Sequence, residues 1–150
     1  MLTVLVAPDG ERYKVVPTKN GDRLFVAYLE VSETSKGPRP TKFRVVRDDD
    51  QELREPSEFV DLCRMADEVV VPRSSSDDDK REVEEMLSAY QIEAVGREVC
   101  RLCLVNDRYT SLSDRNAVKH HDERICQDCA KEELGREISY KGDLSSTYRS

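Results

Sequence analysis

CRLC at residues 100–103 and, after 22 further residues, CQDC at residues 126–129 form the stretch that decides the fold. Two residues between paired cysteines allow a tight turn to direct both sulfurs at one ion, and two such turns complete a tetrahedron. The spacing therefore predicts one structural Zn²⁺ ion. Its predicted ligands are Cys100, Cys103, Cys126 and Cys129.

Two disulfides, or one redox pair with unrelated cysteines, are the alternatives for this pattern. Residues 1–6 are apolar but short, with no basic start and no cleavage-site pattern, so secretion and its disulfides are not indicated. A thioredoxin-type pair would not need a second pair. A further alternative is that His120 or His121 replaces one thiolate, although neither histidine is spaced as a pair with a cysteine.

No catalytic residue is predicted. Four thiolates leave zinc no open position for a reactive water. The fifth cysteine, Cys63, shares a helical face with Phe59, Leu62 and Ala66, which favours a small core residue over a nucleophile. Asp48–Asp50 could suggest a magnesium site, but adjacent carboxylates are more typical of a solvated turn.

The charge of the chain is uneven. Its 150 residues carry a net charge of −7, and residues 97–150 contain ten Lys/Arg and ten Asp/Glu, so the excess is in residues 1–96. An acidic balance argues against tight, sequence-independent nucleic-acid binding. No apolar run approaches the roughly 20 residues of a membrane span, and we expect a cytoplasmic protein without membrane contact.

Residues 1–47 are predicted to form a β-rich domain, a small meander or partial barrel. Asn20-Gly21 is a strong hairpin signal because both residues tolerate positive φ. Residues 32–41, with two prolines, are predicted as an exposed loop. The predicted strands are residues 2–6, 12–17, 24–31 and 42–47.

Residues 48–96 are predicted to form a short α/β unit after a polar connector at 48–56. Ser57 can cap a first helix, and the serines before Asp77 can cap a second. A strand should follow each helix, which suggests parallel pairing. The unit lacks a glycine-rich phosphate loop. With the cysteine module, the predicted class is α+β.

Residues 97–140 are predicted to form the zinc module. Residues 104–112 can form a hairpin, 113–124 are polar, and a helix is expected from Cys126 to about Tyr140. The predicted order is treble-clef-like: a knuckle, which is the turn that carries Cys100 and Cys103, then a hairpin, then a helix that carries the other two ligands. Residues 141–150 are predicted to be a tail or linker.

The sequences CRLCL at 100–104 and ERICQDCAKEELGRE at 123–137 carry a family resemblance. They resemble the N-terminal region that precedes the motor in archaeal Ski-like superfamily-two RNA helicases, which are associated with the RNase J exonuclease. The resemblance covers roughly residues 57–140 and implies an accessory domain in RNA metabolism. The chain contains no Walker lysine motif and no Asp-Glu-x-His box, so helicase activity is not carried over to it.

Two functions follow as hypotheses. The first is a non-catalytic, zinc-stabilised accessory domain of a larger helicase, which recruits a protein partner such as an RNase J-type nuclease. The alternative is a zinc-dependent module that binds single-stranded RNA or DNA through its basic and aromatic surface. The candidate surface residues, for a nucleic acid or a partner, are Arg101, Arg108, Tyr109, Arg115, Lys119, His120, His121 and Arg124.

Overall fold

The computed structural model describes residues 1–121 and 123–135 of the chain. Its strands are β1 (Leu2–Asp9), β2 (Arg12–Lys19), β3 (Asp22–Arg23), β4 (Ala27–Thr34), β5 (Gly37–Arg47), β6 (Asp50–Arg54), β7 (Glu68–Pro72), β8 (Ala94–Arg97), β9 (Ala117–His120) and β10 (Glu123–Cys126). Its helices are α1 (Pro56–Met65), α2 (Asp77–Ser88), α3 (Arg101–Val105) and α4, the helical residues 127–135. The α+β class predicted from the sequence is confirmed.

One mixed sheet of eight strands organises residues 2–97, in the order β6-β5-β4-β2-β1-β7-β8, with β3 paired to β2. Strands β1 to β6 form the predicted antiparallel meander. Strand β1 also pairs in parallel with β7, and β7 in parallel with β8. The meander and the α/β unit therefore share one sheet across the boundary predicted at residue 48.

The Asn20-Gly21 turn forms as predicted. Both residues have positive φ, 53° and 87°, and they connect β2 to β3 with Lys19 opposite Asp22. The turn closes without strain because asparagine and glycine tolerate this backbone region. Strand β4 then follows and pairs with β2.

The loop predicted at residues 32–41 is wrong, because β4 and β5 extend to a tight turn between Thr34 and Gly37. Pro38 and Pro40 are accommodated because strand β6 pairs only with the later part of β5, from Phe43 onwards. The proline half of β5 thus pairs with β4 alone, as is typical of edge segments, where proline is tolerated.

The polar connector predicted at residues 48–56 is also wrong in part. Asp50–Arg54 forms β6, and a two-residue turn at Asp48-Asp49, with Asp48 at φ 52°, joins it to β5. This edge strand is mostly exposed and therefore lacks an alternating apolar pattern. The adjacent aspartates are the solvated turn that the sequence favoured.

Helices α1 and α2 cover one face of the sheet. The predicted cap Ser57 is wrong: the N-cap of α1 is Glu55, which forms a capping box with Glu58, and the helix begins at Pro56 and buries Phe59 and Cys63. In α2, Ser76 caps the helix by accepting a hydrogen bond from the Asp79 N–H at 3.1 Å. The buried residues that meet in this layer include Val4, Val6, Tyr13, Val15, Leu29, Phe43, Phe59, Cys63, Val69, Val83, Met86 and Leu87.

The opposite face of the sheet is buried as well. Leu5, Ala7, Val16 and Val70 point to this side, and side chains from residues 95–109 pack on them. Because β1 is buried on both faces, its sequence is a continuous apolar run rather than an alternating one. The cysteine module therefore forms a third layer on the sheet. No helix in the described ranges is long and apolar enough to span a membrane.

Candidate metal centre

The first cysteine pair is held by a single short helix. Cys100 is the N-cap of α3, and its sulfur accepts a hydrogen bond from the Cys103 N–H at 3.5 Å. The hairpin predicted at residues 104–112 is wrong. Instead, α3 is followed by a turn, and only Val99 and Ser111 form an isolated bridge.

The second pair lies where a strand leads into a helix. Strands β9 and β10 form the hairpin of the module, within the segment predicted as polar, and Cys126 is the last residue of β10. Cys129 lies in the first turn of α4. This knuckle, hairpin and helix order matches the treble-clef-like prediction. The part of the predicted helix beyond residue 135 lies outside the described residues.

The four sulfurs are grouped around a common point. All four lie within 4.8 Å of one another. The Cys103 sulfur is 3.6 Å from that of Cys126 and 3.4 Å from that of Cys129. A tetrahedral ion with bonds of about 2.3 Å to sulfur places its ligands roughly 3.8 Å apart. Disulfide sulfurs would be bonded at about 2.05 Å, so the arrangement fits a shared metal ion better than two disulfides.

Backbone and side-chain groups donate hydrogen bonds to the sulfurs. The Cys100 sulfur also accepts from the Cys126 N–H at 3.4 Å, and the Cys126 sulfur accepts from the backbone N–H of Cys129. The Thr110 hydroxyl lies 3.2 Å from the Cys103 sulfur, and it is the donor when that sulfur is a thiolate. Such donors favour the thiolate form that metal ligation requires.

The environment pushes the thiol pKa values apart. Burial raises the pKa of Cys103 to about 11. Burial also raises the pKa of Cys129, and hydrogen bonds with the neighbouring thiols raise it further. For Cys126, burial acts upwards, but hydrogen bonds from the Cys129 backbone and the other thiols outweigh it and lower the pKa. Four buried thiols at these separations do not all ionise without a cation between them, because their charges would repel.

The donor set suits one metal ion with a closed shell. All four cysteines are buried, with at most 5% of each side chain exposed, and Leu112 and Ile125 pack around them. Four protein thiolates complete a tetrahedron, so the centre can cross-link the module and offers no site for a substrate.

His120 and His121 are not members of the donor group found among the described residues, which consists of four cysteines. The two rings lie at the turn between β9 and β10 and contact each other edge to face, with centroids 4.2 Å apart. His121 has a φ of 48°, consistent with its place in the turn.

Two arginines of the predicted basic surface are neutralised by carboxylates. Arg101 pairs with Glu123, and Arg124 pairs with Glu98 at 3.1 Å and Asp114 at 3.2 Å. Lys119, His120 and His121 also have interactions within the chain, whereas Arg115 is exposed. These pairs reduce the positive potential that a phosphate backbone would meet.

Tyr109 and Arg108 differ from the rest of the predicted surface. Tyr109 is half-buried and packs on the sheet beside Leu104, so its ring serves the contact between layers. Burial raises its pKa. Arg108 forms an ion pair with Glu132 at 3.8 Å, a separation longer than a hydrogen bond.

Sequence reasoning missed the residues that attach the module to the sheet. The Lys14 ammonium group forms an ion pair with Asp107 at 2.7 Å and donates to the Leu104 carbonyl at 3.2 Å. Arg23 donates to the Asp107 carbonyl at 3.1 Å. These contacts join residues more than 80 positions apart, and no local pattern in the sequence indicates them.

The chain is similar to part of a probable helicase. Over 134 residues it is 25% identical to a probable ATP-dependent helicase of Methanocaldococcus jannaschii. The match covers 89% of this chain but only 15% of the helicase, so the chain spans a small part of that protein. No family model matches the chain. No solved structure matches it either.

Proposed function

We propose that this chain is a non-catalytic, zinc-stabilised accessory part of a larger ATP-dependent RNA helicase. The observation that carries the proposal is the match of most of the chain to a small part of a probable helicase. The lack of motor motifs supports a role outside the ATPase. The test is the reading frame around these residues, where we expect a superfamily-two motor. A complete gene that encodes no motor would contradict the proposal.

The resident metal in this proposal is zinc. Four buried sulfurs at tetrahedral separations are the donor set that zinc prefers in structural sites, and backbone amides complete their surroundings. Bound zinc would supply a rigid cross-link between α3 and α4. Elemental analysis of protein purified without added metal should find one zinc ion per chain. Iron in its place would overturn the assignment.

The accessory role that we propose is recruitment of a protein partner, such as an RNase J-type nuclease. Support comes from the resemblance carried by residues 100–104 and 123–137 and from the closed metal centre, which serves structure rather than reaction. The module packs on one face of the sheet, so its outer surface can be presented to a partner.

Size-exclusion chromatography tests the recruitment. The zinc-loaded chain should co-elute with an archaeal RNase J-type nuclease at micromolar concentration, and Cys126→Ser should abolish co-elution by unfolding the module. Separate migration of the two intact proteins would contradict recruitment. The accessory role itself would still be tested by whether the reading frame encodes a helicase motor.

A further inference from the structure

A polar cleft lies between the sheet and the cysteine module. Its volume is about 470 Å³, within the range of pockets that hold small ligands. The β2–β3 hairpin lines one side and residues 103–110 line the other, with Cys126 and Asp128 at one end. The polar and charged residues of this lining include Thr18, Asp22, Arg23, Arg108 and Asp128.

Thr18 provides a buried hydroxyl without a partner in this cleft. Along β2, Thr18 follows Lys14 and Val16 on the face that the module covers. Its side chain is only 7% exposed, and its Oγ1 atom has no hydrogen-bond partner among the described residues. Buried hydroxyls are normally satisfied, so this one indicates a group that the cleft receives.

Two arginines border the same cleft. The Arg23 guanidinium donates one hydrogen bond to the Asp107 carbonyl, which orients the group and leaves its other donors available. Arg108 forms a longer ion pair, 3.8 Å to the Glu132 carboxylate, than the 3.1 Å pair of Arg124 with Glu98. Guanidinium groups bind phosphate through parallel hydrogen bonds.

Two carboxylates complete the lining. Asp22 and Asp128 would repel a ligand that is only anionic, but they accept hydrogen bonds from amino and imino groups. A nucleotide has both features, a phosphate and a base edge that carries N–H donors. The cleft is open to solvent, so a chain of nucleotides can continue on either side of the one that is bound.

We propose that this cleft binds one nucleotide of a single-stranded nucleic acid, with its phosphate at Arg23 and Arg108 and its base edge at Asp22 and Asp128. The Thr18 hydroxyl then donates to or accepts from the same nucleotide. The proposal is independent of nuclease recruitment, and it places nucleic-acid contact in the cleft rather than on the paired surface of Arg101 and Arg124.

Fluorescence anisotropy of the zinc-loaded chain with a labelled single-stranded RNA of about twelve nucleotides tests the cleft. Arg108→Gln and Arg23→Gln should each weaken binding about fivefold or more. Each should also reduce the slope of log affinity against log salt by about 0.7. Arg115→Gln is the matched control, because Arg115 is exposed on the same module but outside the cleft. It should change affinity less than about twofold.

Two further variants address the remaining contacts. Thr18→Val keeps the volume of the buried side chain and should weaken RNA binding about threefold while the zinc content stays at one per chain. Asp22→Asn should change the preference among four homopolymeric RNAs, because it alters the groups that face the base.

Three results would overturn the proposal. The first is no binding at low salt, and the second is equal weakening by Arg115→Gln and Arg108→Gln, which would indicate a diffuse electrostatic surface. The third is an equal gain in affinity for all four homopolymers with Asp22→Asn, which would show that Asp22 does not contact the base. None of these results affects co-elution with a nuclease, so failure here is distinguishable from failure of the proposed function.

Discussion

At the scale of single residues, Cys63 and Cys126 show how one residue type takes two roles. Both thiols are buried, but Cys63 lies in α1 among the apolar side chains of the sheet core. Burial raises its pKa to about 12. Cys126 lies among three other sulfurs and accepts a backbone hydrogen bond. The thiolate needed for metal ligation is therefore favoured at Cys126 and disfavoured at Cys63.

We expect Cys126→Ser to lower bound zinc from one per chain to well below one, because a serine hydroxyl stays protonated and ligates zinc poorly. The matched control is Cys63→Ala, which removes a buried sulfur at a cost of about 1 kcal/mol and keeps the metal. Elemental analysis after dialysis measures both variants. Equal metal contents would contradict the ligand assignment.

Tyr13 is a second residue whose pKa is strongly shifted by its surroundings. Its hydroxyl donates to Glu82 at 2.7 Å, and Asp79 lies 3.5 Å away. Burial raises the pKa of Tyr13 well above its usual range, and the hydrogen bond and charge of Glu82 raise it further. The contact ties β2 to α2, so ionisation of Tyr13 would weaken the packing of the helical layer.

The pH dependence of stability tests this contact. In the unfolded chain the Tyr13 pKa is near 10, and in the folded chain it is higher, so the contribution is complete below about pH 10 and lost as the pH rises further. Tyr13→Phe should lower the free energy of unfolding by about 1.5 kcal/mol at neutral pH and flatten the decline above about pH 10. Urea unfolding at a series of pH values measures both effects. Parallel pH profiles for the two proteins would contradict this role.

At the scale of elements, α3 links the metal centre to the sheet. One side of this five-residue helix carries Cys103 to the metal centre, and Leu104 packs against the sheet face that contains Leu5 and Val16. A helix this short is not stable by itself, so its conformation depends on the metal ligands and on this contact.

Leu104→Ala should reduce the free energy of unfolding by about 2 kcal/mol, because it removes apolar contacts between the module and the sheet. Val105→Ala is the control in the same helix, since Val105 is 66% exposed, and should have an effect below about 0.5 kcal/mol. Chemical denaturation with zinc present measures the difference. Similar effects of the two substitutions would show that α3 does not rest on the sheet in solution.

At the scale of the whole molecule, the sheet separates two layers that are stabilised in different ways. Helices α1 and α2 are held by an apolar core, whereas the cysteine module has a small core around the metal ligands. Structural zinc contributes roughly 10–16 kcal/mol in small modules, comparable with the entire stability of many domains. The module should therefore depend on the metal much more than the helical layer does.

Metal removal tests this asymmetry. After chelation we expect hydrogen exchange to lose protection in residues 100–135 while α1 and α2 stay protected. The unfolding temperature of the sheet should fall by several degrees, because Leu5, Val16 and Val70 become exposed. Hydrogen-exchange mass spectrometry with and without chelator resolves these segments. Loss of protection throughout the chain would show one cooperative unit.

Much of the fold was accessible from local sequence patterns. Asn20-Gly21 predicted a turn because few residues adopt positive φ at two successive positions, and the apolar spacing in α1 and α2 predicted their buried faces. Strand β6 was missed because its residues are mostly polar, and hairpin β9–β10 was missed because its strands have only four residues each. The pairing of all three strands depends on their neighbours. Local periodicity does not report such pairing.

The sequence by itself determined which four side chains form the candidate metal centre, because the two-residue spacing within each pair sets a local geometry that few other arrangements require. Only the tertiary structure decided where the module lies, which arginines are neutralised, and that a cleft forms beside Thr18. The contact between Lys14 and Leu104 joins positions 90 residues apart. Such contacts arise from packing of the folded layers and leave no periodic signal along the chain.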